Sequence, residues 1–423
     1  MVLALLILKI YVNIVIALMV LYIARQFRFT MNRMSGEQKM YYQDIMDSDM
    51  PSVTVLVPMH NEELVALNVL ERLLDADYPK ERLEIIPIND HSEDKTREIL
   101  DKFAAEHPAI RPLHRYAGRR GKPAAINEAL QRATGEVIIV FDADYRPPRG
   151  ILRDIAVCFK DPEVGAVMGR VVPENVGANL LTRMLDLERS GGYQVDQQAR
   201  YNLGLLPQYG GTVGGFRKSY CLHTVDGEKV CFDPNILTED TELTIKLYLQ
   251  GKQVVYANRA ECYEEVPEDW DVRGRQIRRW ARGHTQVMFR YLPQIYRSKM
   301  LTRRQKLDGM LLLVLYAMPP LFFLAVAALM VLFFAGEPAY ATLLPVFFLT
   351  VAFNAFGNFS AFFQIGAATF IDGSTYRIRL LPFLMMNVFF NGIYISDGVI
   401  DAALDHVSGR ATVWQKTMRF RKK

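Results

Sequence analysis

Two aspartates spaced by one alanine, Asp142 and Asp144, end an apolar run in the stretch EVIIVFDADYRPP (136–148). Paired carboxylates repel each other, and a hard, oxygen-seeking cation such as Mg²⁺ or Mn²⁺ removes that repulsion while bridging to a diphosphate. Both carboxylates must then face one site. Val137–Phe141 has the length and β-branched content of a strand buried on both faces, and Pro147 and Pro148 forbid its continuation. Side chains two apart on extended backbone point the same way, so the pair is expected at the carboxyl tip of a strand, where open α/β sheets hold ligands. A solvated strand-to-loop turn is the plain alternative for D-x-D alone.

Other stretches carry further candidates. Leu83–Asn89 reads as a second strand tipped by Asp90, an acid able to hydrogen-bond a base or ribose, with Ser92 placed to cap the next helix and Lys95 as its third residue. GRRGKPAAIN (118–127) brings Lys122 to a helix opened by Pro123, a setting that favours an anionic phosphate. A solvated basic loop is the alternative there. In LTEDTE (237–242), Glu239 and Asp240 start a helix and would ordinarily serve its dipole. A catalytic role demands more, a carboxylate within hydrogen-bond reach of an acceptor hydroxyl. Gln276, Arg279, Trp280 and Gly283 stand at i, i+3, i+4 and i+7 and share a helical face, Gly283 leaving room beneath the indole. Arg273, Arg275, Arg278 and Arg282 crowd the same segment, and a bilayer-surface helix with its arginines toward lipid phosphates is the competing reading. The glycines of GGTVGGFRK (210–218) permit close backbone approach.

The elements that position these groups alternate strand and helix patterns from residue 51 to about 260, which predicts an α/β domain with a mostly parallel sheet. Ser52–Pro58 is the first strand, closed by Met59, His60, Asn61 and Glu62 before a helical stretch to about Leu74. No G-x-G-x-x-G or G-x-x-x-x-G-K-[ST] follows it, which removes the main support for dinucleotide and P-loop readings.

The ordered motifs VPMHNEE (57–63), NDHSEDKT (89–96), GKPAAINEAL (121–130), DAD (142–144), TED (238–240) and QIRRW (276–280) resemble inverting family 2 glycosyltransferases with the Rossmann-like GT-A fold. More narrowly they are similar to membrane-embedded processive synthases of hyaluronan, chitin oligosaccharide, poly-N-acetylglucosamine, cellulose and curdlan. The resemblance covers residues 50–300, and the flanking membrane helices in arrangement only. It implies that Asp90 contacts the uracil of a UDP-sugar, although Asn89 stands where the family often has aspartate and His91 where it often has glycine. Asp144 would be the direct ligand of Mg²⁺ or Mn²⁺, with Asp142 nearer the nucleotide and Lys122 near the diphosphate. Asp240 would be the general base, beside Glu239 as a substrate contact. Trp280 would stack on the terminal sugar while Gln276 and Arg279 hold the UDP phosphates.

Composition is consistent with a membrane enzyme. The net charge of +4 over 423 residues is too small to argue for nucleic acid, and no nucleic-acid motif occurs. Cys158, Cys221, Cys231 and Cys262 lack C-x-x-C spacing or histidine partners and read as reduced cytosolic thiols. Leu3–Ile23 is long and apolar enough to span a bilayer, interrupted by Lys9 and Asn13, and Arg25, Arg28 and Arg33 place residues 25 onward in the cytoplasm. Met310–Phe334 and Ala341–Phe363 are further spans joined by GEPAY, and Leu380–Ile395 is a third candidate. Three crossings after the cytoplasmic domain would strand the basic tail Arg419–Lys423 outside, against the positive-inside rule. A re-entrant or interfacial segment, or an extra crossing near Gln364–Phe370, is therefore expected. Asn354, Asn358 and Gln364 are expected to face other helices or a polar conduit. Trp414–Arg419 resembles a short carboxyl-terminal motif of such synthases.

The predicted organisation is a transmembrane helix (1–24), a cytoplasmic linker (25–50), a GT-A catalytic domain (51–270), the QxxRW and interfacial helices (271–306), a membrane region (307–404) and a basic tail (405–423). The expected function is elongation and export of a β-linked polysaccharide from UDP-glucose or UDP-N-acetylglucosamine at the cell membrane. Expected partners are the UDP-sugar, the growing polysaccharide and the lipid bilayer, with accessory export proteins as an addition. Addition of one sugar to a lipid or short acceptor is the alternative. A catalytically idle transporter or scaffold is the third.

Overall fold

The computed structural model describes residues 2–36, 38–40, 49–225, 228–337 and 358–409. Helix α1 (Val2–Ser35) precedes β1 (Val53–Met59), α2 (Ala66–Leu74), β2 (Leu83–Asp90), α3 (Thr96–Glu106), β3 (Leu113–Arg115), α4 (Lys122–Arg132) and β4 (Val137–Val140). Next come α5 (Ile151–Ala156), β5 (Val164–Pro173), α6 (Leu180–Ser190), a π-helical turn (Gly191–Gln197), α7 (Gln198–Asn202), β6 (Gly214–Arg217) and α8 (Lys218–Cys221). A small hairpin, β7 (His223–Val225) and β8 (Glu228–Val230), leads to α9 (Glu239–Leu249) and β9 (Gln253–Glu264). The carboxyl-terminal part is helical: α10 (Trp270–Arg297), α11 (Arg303–Val314), α12 (Met318–Phe334), α13 (Asn358–Ile371) and α14 (Leu381–Ser408).

The main sheet has the order β3-β2-β1-β4-β6-β5-β9. Its first four strands are parallel, β6 runs antiparallel to both neighbours, and β5 pairs in parallel with β9. The expected α/β sheet is present; the reversed strand β6 is the feature that period-2 patterning could not reveal, since patterning reports burial and not direction. Every position of β2 and β4 is buried, because helices cover both sheet faces. Val55, Val57, Ile85 and Ile139 pack with α2 and α5 on one side, while Leu56, Ile86, Ile138 and Val140 pack with α4 on the other. Pairing Leu56 with both Ile86 and Val140 aligns the carboxyl ends of β2, β1 and β4. Chain order reverses at β1, where open sheets leave a ligand crevice.

Among the described residues three helical stretches are long and apolar enough to cross a membrane: Val2–Ser35, Arg303–Phe334 and Thr375–Ser408. The first two run side by side. Arg25 pairs with Asp308 (2.9 Å) and Asp196 (3.3 Å), the Tyr11 hydroxyl donates to the Leu321 carbonyl (2.8 Å), and Lys9 pairs with Glu337 (2.7 Å). Arg33 donates to the Gln194 carbonyl (2.6 Å), so the end of α1 is docked helix where a linker was expected. A 3-10 turn at Leu315–Ala317 breaks the helix expected over 310–334. Helix α14 behaves differently from the other two. Arg377, in the turn before it, pairs with Asp186, Asn387 and Asn391 of its middle donate to Glu188 (3.3 and 3.5 Å), and Asp401 and Asp405 near its end pair with Arg278 and Arg282. Start, middle and end thus all bond to α6 or α10. These pairs correct, for three of the four arginines, the idea that they turn to lipid phosphates: Arg273 is buried on Glu188 (2.7 Å), Arg278 and Arg282 hold α14, and Arg275 alone of the four is exposed without such a pair among the described residues. Gln364 donates to the Gly191 carbonyl (3.3 Å), a helix-holding bond and not a conduit lining. Asn354, the side chain of Asn358, most of Ala341–Phe363 and Trp414–Arg419 lie outside the described residues.

Candidate active site

The strand tips open into a cleft of about 630 Å³, a volume suited to a ligand. Asp90, Lys122, Asp142, Asp144, Glu239, Asp240, Gln276, Arg279 and Trp280 all line it. They come from β2, α4, the end of β4, α9 and α10, so the topology gathers groups that are as much as 190 residues apart along the chain, from 90 to 280.

Asp90 organises one wall. It accepts from Arg115 and from the Gly121 amide (2.8 Å), and His91 Nδ1 lies 2.7 Å from it. Its oxygens thereby tie β2, β3 and the loop before α4 together. His91 itself takes a left-handed conformation (φ 57°), as does Asn61 (φ 54°) at the neighbouring tip, the sparsely populated backbone found where function over-determines structure. Ser92 does not cap α3. Asp94 accepts from the Thr96 amide (3.0 Å) instead, and the Ser92 hydroxyl accepts from the Asn61 amide (2.9 Å).

Lys122 Nζ donates to Asp142 Oδ1 (2.7 Å). Burial would lower the lysine's pKa, but the Asp142, Glu239 and Asp240 carboxylates outweigh burial and hold it above its ordinary value. Asp142 also receives support through its amide, which donates to Thr212 Oγ1 (3.1 Å). The adjoining Val213 sits at φ 49°, an outlier for a β-branched residue. Gly211 of the same segment lies against Asp240.

Glu239 and Asp240 occupy the first turn of α9. Burial, then Asp240 and Asp142, push the Glu239 carboxyl up to about 7 in spite of Lys122. Burial also raises Asp240, opposed by the Thr241 amide, which donates to Oδ1 at 2.7 Å, and by Lys122 and Arg279. Burial lowers Arg279, and Glu239, Asp240 and Asp142 oppose that. Among the described residues Arg279 makes no hydrogen bond, so its guanidinium retains its donors.

Trp280 lies under two guanidinium groups, Arg273 at 5.3 Å and Arg189 at 5.5 Å from the ring centroid. Arg273 donates to Gln276 (2.9 Å) and Arg189 pairs with Glu264 (2.8 Å), which also accepts from the Tyr145 hydroxyl (2.8 Å). The expected partner of the indole, Gly283, is elsewhere. A Cβ there would lie 2.6 Å from Thr238 Cγ2 and 2.8 Å from Thr238 N, so Gly283 seats α10 on the turn that presents Glu239 and Asp240. Leu315 and Tyr316 of the break between α11 and α12 also line the cleft. Tyr316 stacks on His284 (4.3 Å), whose pKa burial drives to about 3, so the imidazole is neutral. Arg115, Glu188, Arg189, Glu264, Tyr145, His284 and Tyr316 escaped sequence reasoning. They stand at strand ends, in the loop after β4, inside helices or in the turn between α11 and α12, without a recognisable spacing.

The donor set for a cation is small. Asp142 and Asp144 line the cleft, and among the described residues no three His, Cys, Asp or Glu side chains cluster to hold a metal ion. That suits a divalent cation held by one or two carboxylates together with substrate phosphates, and it does not suit an all-protein cage.

Residues 54–222 match the model of the glycosyl transferase family 2. The chain is 34% identical over 255 residues to a probable glycosyltransferase, YdaM, of Bacillus subtilis, covering 59% of either chain. It is 30% identical over 311 residues to a β-monoglucosyldiacylglycerol synthase of Synechocystis sp., covering 73% of this chain and 62% of that one. It thus spans about three fifths of the length of these relatives. Among solved structures, the mannosyltransferase PcManGT from Pyrobaculum calidifontis, in complex with GDP-Man and Mn²⁺, superposes with a TM-score of 0.63 at 21% identity, over 94% of this chain and 99% of that one. That likeness shows the fold: an α/β GT-A sheet with apolar helices at both ends of the chain.

Proposed function

We propose that the chain is a membrane-seated, metal-dependent, inverting hexosyltransferase of glycosyltransferase family 2, which extends a β-linked polysaccharide from UDP-glucose or UDP-N-acetylglucosamine and passes it across the membrane. One observation carries the reading: the D-x-D pair, the buried Glu239–Asp240 pair and Gln276, Arg279 and Trp280 line one cleft that also takes in Leu315 and Tyr316, at the break in the membrane-length stretch Arg303–Phe334. In this mechanism Asp240 accepts the proton of the acceptor hydroxyl. The freed oxygen attacks the anomeric carbon from the face opposite the diphosphate, the bond to the UDP oxygen breaks, and configuration inverts. Lys122 and Arg279 flank the phosphates as fixed positive charge. Asp144, with Asp142, would hold Mg²⁺ or Mn²⁺, which would neutralise charge on the departing diphosphate. Asp90 fixes the wall against which the uracil is read. Trp280, fixed by Arg189 and Arg273, offers the acceptor sugar an apolar platform beside Asp240.

For membrane placement, α1 and α11–α12 cross together, with Arg25 and Asp308 at the catalytic side and Lys9 and Glu337 beyond. Helix α14 lies along the bilayer surface, which is the interfacial alternative to a further crossing. A second reading, one sugar added to a membrane lipid, draws support from the diacylglycerol-type relative and from Leu315 and Tyr316 in the cleft's lining. Purified protein given radiolabelled UDP-sugars separates the two by product length: a ladder of polymer is expected, and a single-addition lipid product would replace the first reading by the second. In Trp280→Ala, polymer is expected to fall far more than slow UDP-sugar hydrolysis. Equal losses, in protein confirmed to be folded, would leave Trp280 a packing residue.

A further inference from the structure

A second cavity, of about 780 Å³, adjoins the first and is walled by β5, α6 and the turn 371–380 between α13 and α14. Asp372 lies in its floor. This carboxylate accepts from Ser190 (2.5 Å), Gln194 (2.5 Å), Arg170 (2.9 Å) and Arg377 (2.9 Å). Arg377 reaches Asp186 as well, and Arg170 reaches Glu261 (2.8 Å). The acids of the cavity are therefore satisfied. Arg183 and Arg379 also line it, both exposed, and among the described residues neither has an ion pair or hydrogen bond. Five arginines face three acids across this one space.

The surroundings are apolar. Tyr376 lines the mouth, and Phe370, Ile378 and Phe383 on adjoining turns are exposed too. Along α14 the exposed face continues through Met386, Phe389, Ile393 and Ile400. A soluble anion needs positive charge but has no use for such a rim, whereas a phosphodiester with acyl chains needs both. Of the arginines of α10, Arg273, Arg278 and Arg282 are committed to Glu188, Asp401 and Asp405. Among the described arginines that line this cavity, Arg183 and Arg379 are the two left to meet a phosphate.

We propose that this cavity binds the phosphate of an anionic phospholipid, gripped by Arg183 and Arg379 above the Asp372–Arg170–Arg377 floor, with the acyl chains along the exposed face of α14. Guanidinium forks match phosphate oxygens in pairs. Arg189 lines both cavities, so the lipid sits one side chain away from the wall that holds Trp280. The inference rests on the membrane placement proposed above.

The test uses the full chain, solubilised and probed by native mass spectrometry with phosphatidylglycerol or phosphatidylcholine, alongside flotation on vesicles of phosphatidylcholine alone. Phosphatidylglycerol is expected to be retained and phosphatidylcholine lost, with retention falling about tenfold or more in Arg183→Gln/Arg379→Gln, two charges removed at a membrane surface. The Arg183→Lys/Arg379→Lys pair should keep most of it. Both positions are exposed and unpartnered, and an unchanged melting curve shows that the variants fold. Equal retention by the Gln pair, or of both lipids, overturns the site. Displacement of phosphatidylglycerol by equimolar inorganic phosphate assigns it to free phosphate and overturns the lipid. A chain that fails to float overturns the membrane placement and this inference with it, whereas one that floats without selecting phosphatidylglycerol overturns only the headgroup site.

Discussion

Glu239 and Asp240 stand side by side in a buried corner with one lysine and one arginine to answer them, and this arrangement sets the pH at which the corner can accept a proton. Glu239 is pushed up to about 7 by burial first, and Asp240 is raised with it. Two such carboxyls titrate as a pair. The rate is therefore expected to rise through an apparent pKa above the ordinary carboxylate range, because burial raises Asp240, and Glu239→Gln should move that limb to lower pH. A limb that stays in place in the variant would remove Glu239 from the pair. Stability carries the opposite trend. The folded state binds the Glu239 proton more tightly than the unfolded chain, so this contribution is complete below about 4.5 and is lost as pH rises through about 7. The unliganded protein should melt lower as pH climbs across that window, less steeply in Glu239→Gln. Asp240→Asn is expected to cost on the order of 10² to 10⁴ in transfer rate while sparing UDP-sugar affinity, because the general base proposed for Asp240 acts on the acceptor. Isothermal titration with the donor, beside a turnover assay, checks both halves. These acids were legible because type and spacing mark them. Glu264, Tyr145 and Arg189 were not, since each matters only through neighbours that folding brings to it.

At the scale of elements, the junction of α10 with the start of α9 decides whether Asp240 and the indole share one cleft. Gly283 makes that junction possible, its missing Cβ leaving the space that Thr238 fills. In Gly283→Ala the added methyl would meet backbone at 2.8 Å, so α10 must move or the turn must yield. Overpacking of this kind costs about 1–3 kcal/mol, and activity is expected to fall further than stability because the displaced turn carries Asp240. Gly150→Ala, where the Cβ meets nothing within 4 Å, should be silent. Thermal melts and turnover measured on both variants test this, and a silent Gly283→Ala would show the junction to be loose. Sequence placed Gly283 on the right helix and assigned it the wrong neighbour. Helical spacing tells which residues share a face; it does not tell what packs there. The parallel strands β1, β2 and β4 were readable from apolar runs ending in polar tips, and their ends differ by one residue from those expected. The antiparallel β6 carries GGFR, which has too little side chain to show a pattern.

For the whole molecule, the topology turns on α14, because its apolar composition reads as a crossing while its partners argue otherwise. A helix of 28 residues extends about 42 Å at 1.5 Å per residue, longer than the ~30 Å hydrocarbon core. Arg377 before its start bonds to Asp186, Asn391 in its middle to Glu188, and Asp405 near its end to Arg282. Those partners belong to α6 and α10, beside the catalytic sheet, so a crossing would carry one end of α14 away from the domain it is bonded to. Lying flat, the helix buries its polar face on the catalytic domain and turns Met386, Phe389 and Ile393 outward to the lipid. The chain then leaves α14 on the catalytic side, the side that the positive-inside rule asks of basic residues. Hydropathy alone could not see this, since it weighs composition and not the partners that folding supplies. Single cysteines at Thr375 and Val407, both exposed, are expected to react with an impermeant maleimide from the same face of sealed vesicles, and a cysteine at Val2, beyond Lys9, from the other. The native Cys158, Cys221, Cys231 and Cys262 are all buried and should contribute little background. Labelling of Thr375→Cys and Val407→Cys from opposite faces would make α14 a crossing and, with it, leave the catalytic domain's bonds to one of its ends without a place in the membrane-embedded enzyme.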